Sequence, residues 1–433
     1  MTNLLLVAGT RPEAIKMAPI LQQLQESKVG FTFVWTGQHY DYEMNRTFFE
    51  QLNLPEPDYN LDVRSGTHAQ QTAKAMVRLE KILGKSEPSI VVSEGDTNAV
   101  AAAAMTSVKC SIPFAHVEAG LRSWNAAMPE EINRRIADSI ASLHFAPTKL
   151  AALNLLFEGA PRRGLHFTGN TIVDIVQKHK AAAKEIGERI TTELNLEKGN
   201  YLLVTLHRAE NTDNATRLRN ILTSLKKLAN EFDVVFPAHP RTKRRISRFG
   251  LKSLLKRIVW LKPLAYQKFL GLLMNSSVVL TDSGGLQEEA CILRVPTVTL
   301  RYTTERPETL LYGNVLAGAD TQTIVKLVHR QLELAERIKE TRLPNLFGDG
   351  RAGERIANLL KESVEQGLKI SEPDMRRTPF VTYRLFGRHE MTGEKVAERL
   401  VGFDRSGSPG LTDKLRTRWL ARIKRSYDHS VIE

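Results

Sequence analysis

The chain has 433 residues, too many for one hydrophobic core, and its composition (42% hydrophobic, 25% charged) excludes a disordered or collagen-like protein. No apolar run approaches the length that crosses a bilayer, and the two cysteines, Cys110 and Cys291, exclude a disulfide framework or zinc-ligand spacing, so a reducing cytoplasm fits. The net charge of +13 favours anionic partners, but Lys and Arg are mostly interleaved with Asp and Glu and lack the interleaved aromatics of a nucleic-acid stacking groove.

The first nine residues lack a basic n-region and are too short for a signal peptide, so they read as a first buried strand. Apolar runs at Leu4–Ala8, Phe31–Thr36, Ile90–Ser93, Pro113–Val117, His144–Ala146 and Leu165–Thr168 alternate with helical spacing such as Ala14, Ile15, Ala18, Leu21 and Leu24. A second series follows a charged helix at Ile172–Leu196: Leu202–Thr205, Val234–Pro237, Ile258–Leu261, Val278–Thr281 and Thr297–Leu300. The alternation predicts an α/β protein of two doubly wound, Rossmann-like domains facing a cleft, with ligands beyond the carboxyl ends of the strands.

The candidate site residues cluster at those strand ends. After the first strand, Thr10 suits an N-cap and Pro12 the first helical position, while Arg11 and Lys16 stand where an anion would be held. Asp96 follows Ile90–Ser93, Glu118 follows Pro113–Val117, and Glu130 and Glu131 open the next helix. Each acid alone could merely cap a helix. Three acidic sites converging at one sheet edge are expected to raise one another's pKa, which turns a carboxyl into a proton carrier near neutrality.

In the second series His207 and His239 end consecutive strands. Val278–Ala290 reads as a buried strand, a sharp turn with Gly284 and Gly285, and the first turn of a helix, which suits a phosphate. Glu289 there could accept from ribose hydroxyls, and Arg306 after the next strand could reach the same pocket. No GxGxxG follows the first strand, and no P-loop, metal-ligand cluster or serine elbow occurs, so no dinucleotide cofactor and no metal are expected. Beyond about residue 372 the composition shifts. Leu411–Tyr427 reads as a basic amphipathic helix that either packs on its own domain, the preferred reading, or makes weak contact with an anionic membrane surface or a partner protein.

Gly9–Glu13, Gly37-Gln38-His39, Gly95-Asp96-Thr97, His116–Arg122, Pro129–Arg134, Gly169-Asn170-Thr171, His207-Arg208, Thr281–Ala290 and Thr304–Glu308, in this order over residues 1–370, resemble the non-hydrolysing UDP-N-acetylglucosamine 2-epimerases. The resemblance implies the two-lobed GT-B architecture, with residues 1–170 and 171–347 as the two domains, a helix at about 348–370 crossing back to the first, and 373–433 as an extension outside the family. It implies a cytoplasmic homodimer that interconverts UDP-GlcNAc and UDP-ManNAc for surface polysaccharide without a redox cofactor, by eliminating UDP to a 2-acetamidoglucal and adding it back. Under it, Asp96, Glu118, Glu130 and His207 are the catalytic set, with Glu130 taken over Glu131 as the first Glu of its motif. Arg11, Lys16, Ser283, Gly284, Gly285, Glu289 and Arg306 hold the sugar nucleotide, with Phe269 at the uracil. Gln38, His39 and Arg208 match part of the family's second UDP-GlcNAc site. Alternatives are a 2-epimerase of a UDP-diacetamido-uronic acid, a hydrolysing epimerase, or a retaining GT-B glycosyltransferase.

Overall fold

The computed structural model describes residues 4–37, 49, 54–341 and 345–369; Gln38, His39 and the expected helix Leu411–Tyr427 lie outside them. Residues up to 370 form one compact unit. Its first lobe is built from β1 (Leu4–Ala8), α1 (Arg11–Glu26), β2 (Phe31–Trp35), β3 (Tyr59–Asn60), α2 (His68–Ser86), β4 (Ile90–Glu94), α3 (Asn98–Lys109), β5 (Phe114–Val117), α4 (Pro129–Ile140), β6 (Leu143–Ala146), α5 (Lys149–Glu158) and β7 (Leu165–Phe167). A long helix, α6 (Thr171–Glu193), leads to β8 (Tyr201–Thr205), α7 (Ala209–Thr212), α8 (Ala215–Leu228), β9 (Asp233–Pro237), α9 (Pro240–Arg248), β10 (Val259–Leu261), α10 (Tyr266–Asn275), β11 (Val278–Thr281), α11 (Gly284–Leu293), β12 (Thr297–Thr299), β13 (Asn314–Leu316), α12 (Thr321–Glu333) and α13 (Ala335–Glu340), and α14 (Ala352–Glu365) closes the unit.

Among the described residues the strands form two parallel sheets, in the orders β3-β2-β1-β4-β5-β6-β7 and β10-β9-β8-β11-β12-β13. The apolar runs explain the centre of each. Leu4–Ala8 and Val278–Thr281 are buried at every position, as a strand covered by helices on both faces must be. Two strands escape the sequence reading, β3 and β13; β3 has two exposed residues and β13 begins with a buried asparagine. Both are sheet edges, where little apolar pattern is demanded.

The chain reverses direction across the sheet between β1 and β4 in the first lobe and between β8 and β11 in the second. Such switch points open a crevice at the carboxyl ends of the strands. Two chain crossings join the lobes side by side: Asn170 N donates to Phe347 O at 2.7 Å, and a Cβ on Gly169 would sit 3.2 Å from Gly348 Cα. After the second crossing α14 returns to the first lobe, where Ile356, Ala357 and Leu360 join the core of Leu4, Leu6, Met17 and Phe33. A Cβ on Gly353 would lie 2.5 Å from Pro19 Cβ, so this approach requires glycine. No helix among the described residues is long and apolar enough to cross a membrane.

Candidate active site

At the first switch point the turn after β1 is tied by Glu13. Its Oε2 accepts from Gly9 N and Thr10 N, each at 2.7 Å, completing a capping box with Thr10, and its Oε1 accepts from Thr97 Oγ1 at 2.5 Å. Burial outweighs those bonds and pushes its carboxyl up to about 7. Glu13 is thus committed to joining the two turns of this crevice. Arg11 is the half-buried first residue of the helix. Lys16, by contrast, is buried and aimed across the crevice.

Lys16 Nζ makes a close ion pair with Glu118 and lies 3.5 Å from Glu94 and 3.8 Å from Glu288 of the second lobe. Glu118 adopts the left-handed region (φ 66°), which turns its side chain off the end of β5 towards the same point. Arg306 Nη2 approaches its two oxygens at 3.3 and 3.4 Å, and Asn170 Nδ2 donates to it at 3.2 Å. Arg306 Nε and Asn170 Nδ2 also hold Glu288 Oε1, at 2.8 and 2.9 Å. Acids and cations of both lobes therefore share one buried seam.

The expected mutual raising of the acids is overturned at Glu118 and Glu130. Burial works to raise Glu118, but Lys16 and Arg306 outweigh it and hold the carboxyl down at about 2. Burial likewise opposes the charge of Glu130, and Arg208, 2.6 Å away on the second lobe, keeps it below the ordinary range. At these two acids the paired cations outweigh both burial and the neighbouring carboxyls. The raised carboxyls are ones the motifs did not single out as proton carriers. Burial lifts Glu94 well above its ordinary value, with Glu118 adding to the effect, and lifts Glu288 to about 7 against the pull of Arg306 and Lys16. Burial also takes Glu289 to about 7, with the Tyr266 hydroxyl beside it.

Asp96 is engaged by Arg134 Nη1, while Arg134 Nη2 reaches Glu131 at 2.6 Å. Glu131 turns inwards and accepts from Ser123 N at 2.9 Å, Ser123 Oγ at 3.0 Å and Trp124 N at 3.2 Å, so it fastens the loop before α4. The two glutamates thus divide: Glu130 faces Arg208 across the seam and Glu131 faces its own loop.

On the second lobe Asp282, fully buried at the end of β11, accepts from His207 N at 3.1 Å, Arg208 N at 2.9 Å and Asn211 Nδ2 at 3.2 Å. It locks the turns after β8 and β11 together. His207 Nδ1 lies 3.2 Å from the same carboxylate, with 41% of the side chain open to the crevice. Its ring centre is 6.3 Å from that of His239, whose own Nδ1 accepts from Arg241 N as the cap of α9. Ser283 caps α11, accepting from Leu286 N at 3.4 Å, and Gly284 and Gly285 follow as the first two helical residues. A Cβ on Gly285 would find Lys16 Cε nearest, at 3.9 Å, so this glycine turn fronts the lysine of the other lobe. Phe269 lies on α10, half-buried against the second lobe's core, three residues from Tyr266.

The structure thus gathers Lys16, Glu118 and Arg306 at one point, while Arg134 holds Asp96 and Arg208 holds Glu130. The motifs assigned no role to Glu94, Arg134, Asn170, Asp282, Glu288, Arg301 or Glu305. Fully buried Glu305 pairs with Arg301 at 2.7 Å and stands 3.6 Å from Arg208. Arg134, Asn170, Asp282, Glu288 and Glu305 lie inside the motifs that carry the resemblance, but nothing in those motifs says which residues pair across the seam.

A model of the UDP-N-acetylglucosamine 2-epimerase family matches residues 22–361. Over 365 residues the chain is 45% identical to a UDP-N-acetylglucosamine 2-epimerase of Methanocaldococcus jannaschii, covering 83% of this chain and 98% of that one. A crystal structure of Methanocaldococcus jannaschii UDP-GlcNAc 2-epimerase in complex with UDP-GlcNAc and UDP matches with a TM-score of 0.77 at 44% identity, over 83% of this chain and 99% of that one. A UDP-2,3-diacetamido-2,3-dideoxy-D-glucuronate 2-epimerase of Pseudomonas aeruginosa is 39% identical over 362 residues, covering 83% of this chain and 99% of that one. The matches cover most of the two lobes, and the chain is an enzyme of the UDP-N-acetylglucosamine 2-epimerase family.

Proposed function

We propose that this chain interconverts UDP-GlcNAc and UDP-ManNAc by eliminating UDP across C1–C2 and adding it back. The proton on C2 beside an acetamido group is not acidic enough for simple abstraction, because no stabilised anion results. Elimination avoids that anion. A base takes the C2 proton, the C–H electron pair becomes the C1=C2 bond, and the C1–O bond breaks with its electrons leaving on the β-phosphate. On return a phosphate oxygen attacks C1 of the glucal while C2 takes a proton from the opposite face.

The observation that carries this reading is the contact of Glu118 with both Lys16 and Arg306, an acid of one lobe between cations of both. The elimination needs such an arrangement. Arg306, Lys16 and the start of α11 suit the departing diphosphate. Asp96, Glu118 and Glu130 are the candidate proton carriers, and two faces of C2 require at least two of them. A diphosphate drawn to Lys16 and Arg306 would also weaken their grip on Glu118 and raise its affinity for a proton. Proton pick-up would then be coupled to the presence of the leaving group. His207 stands beside the diphosphate, and Glu289 takes the ribose. Lobe closure keeps the glucal from water and the UDP captive. The wider family resemblance supports a homodimer, which light scattering reads directly, and a place in making surface polysaccharide.

The test is product analysis by NMR after incubation with UDP-GlcNAc. UDP-ManNAc supports the proposal; free ManNAc would indicate hydrolysis, and no sugar product would reject both. The Pseudomonas aeruginosa relative favours a second reading, with a UDP-diacetamido-uronic acid as substrate. That sugar carries a carboxylate at C6, so faster turnover of the uronate than of UDP-GlcNAc would establish it.

A further inference from the structure

The two strand ends that carry Asp96 and Glu118 are held together by one buried pair that contacts neither carboxylate. His116, wholly buried on β5, places Nε2 at 2.8 Å from Gly95 O and Nδ1 at 2.6 Å from Asp138 Oδ1. A backbone carbonyl can only accept, so Nε2 carries a hydrogen; the carboxylate claims a second on Nδ1. The partners therefore assign His116 as an imidazolium. Burial opposes that charge, and Asp138 outweighs it and raises the imidazole above its ordinary range.

Asp138 also holds the second strand end. Its Oδ2 accepts from Gly120 N at 3.0 Å, two residues beyond Glu118. Glu118 has the unfavourable φ of 66°, and such a conformation persists only where its surroundings enforce it. Gly120 (φ 85°) is seated so tightly that a Cβ would lie 2.1 Å from Ala151 O, and Asn154 Nδ2 binds its carbonyl at 2.9 Å. One face of α4 bears Glu130, Arg134 and Asp138 at i, i+4 and i+8, and Arg134 holds Asp96. Arg122 Nη1 completes the pair at 2.6 Å from Asp138 and is itself fixed by Glu158 at 2.5 Å; His144 Nε2 meets the Asp138 carbonyl at 2.8 Å.

We propose that Asp138, acting through His116 on Gly95 and directly on Gly120, is a positioning residue that sets the separation and aim of Asp96 and Glu118. The proposal rests on the epimerase reading for its effect on turnover, though not for the charge state of the pair. The titratable groups facing that pair are Arg122, itself held by Glu158, and His144 on β6.

The charge state is tested by nitrogen-15 NMR of ring-labelled histidine in the full chain. Both His116 ring nitrogens should be protonated at neutral pH, and one should lose its hydrogen in Asp138→Asn. A singly protonated His116 in the wild type at neutral pH would overturn the assignment. For turnover, a displacement of about 1 Å costs about 100-fold, so Asp138→Ala should lose about 100-fold in kcat and Asp138→Asn, which keeps part of the bonding, about 10-fold. Affinity for UDP should stay within about 2-fold in both. If Asp138→Ala does not fold, Asp138→Asn alone decides. Wild-type kcat in Asp138→Asn, or a loss of UDP affinity parallel to the loss of kcat, would overturn the positioning role. A wild type that turns over no UDP-GlcNAc defeats the epimerase reading instead, and the NMR arm still judges the clamp.

Discussion

Arg306 Nη2 stands 3.3 Å from Glu118 Oε1, and the two residues belong to different lobes, 188 positions apart in the chain. Glu118 competes with any diphosphate for Arg306 and Lys16. Glu118→Gln keeps the shape, removes the competing charge, and is expected to lower kcat by about 100-fold or more. UDP should bind it at least as tightly as it binds the wild type. Calorimetry beside steady-state rates checks both halves; weaker UDP binding at full kcat would contradict the assignment.

Asp96→Asn should lose most activity while still binding UDP, because a proton carrier differs from a binder. Arg134 retains Glu131 at 2.6 Å, so the helix start remains anchored in the variant. Near-normal turnover would count against Asp96.

Arg306→Ala removes a charge-assisted donor and leaves Glu118 and Glu288 to repel a phosphate. UDP affinity is expected to fall by about 10- to 100-fold, in line with about 1.5–3 kcal/mol for hydrogen bonds to charged groups. Ser283→Ala loses only a cap and a hydroxyl, about 1 kcal/mol. Unchanged UDP binding in the arginine variant would remove the second lobe's cation from the account.

Gly284 tests how tightly the turn is built. A Cβ there would lie 2.2 Å from Glu305 Oε1, and Glu305 is pinned by Arg301 at 2.7 Å, so it cannot swing away freely. Gly284→Ala is expected to cost about 1–3 kcal/mol as overpacking, read as a lower Tm, with weaker UDP binding. An unchanged Tm would show that the carboxylate yields.

The architecture was legible because parallel strands covered on both faces must be continuous apolar runs, as Leu4–Ala8 and Val278–Thr281 are. The strand ends that carry the site followed, since ligands of such sheets sit beyond the carboxyl ends of the strands. Pairing across the seam was not legible. Nothing in Asn170 or Glu288 says that the chain will bring them within 2.9 Å of one another, because local spacing carries no information about contacts 118 residues apart. The same gap explains the inverted expectation at Glu118. Acids expected to converge at one sheet edge suggested mutual repulsion, whereas folding set Lys16 and Arg306 against Glu118.

Glu289 gives a pH test. Its carboxyl goes from 4.5 in the unfolded chain to about 7 in the fold, so between those values the native state binds the extra proton and stability falls as pH rises. Glu289→Gln removes that dependence. Its Tm relative to the wild type should therefore be higher at about pH 8 than at about pH 5. A difference that does not change with pH would contradict a carboxyl raised by burial there.

Incubation with UDP-GlcNAc in heavy water tests the central claim most directly. Two carriers on opposite faces of C2 cannot return the hydrogen that was removed, so UDP-ManNAc should form with deuterium at C2 and with its UDP retained. UDP-ManNAc that keeps the original hydrogen at C2 would contradict elimination and re-addition between these two lobes.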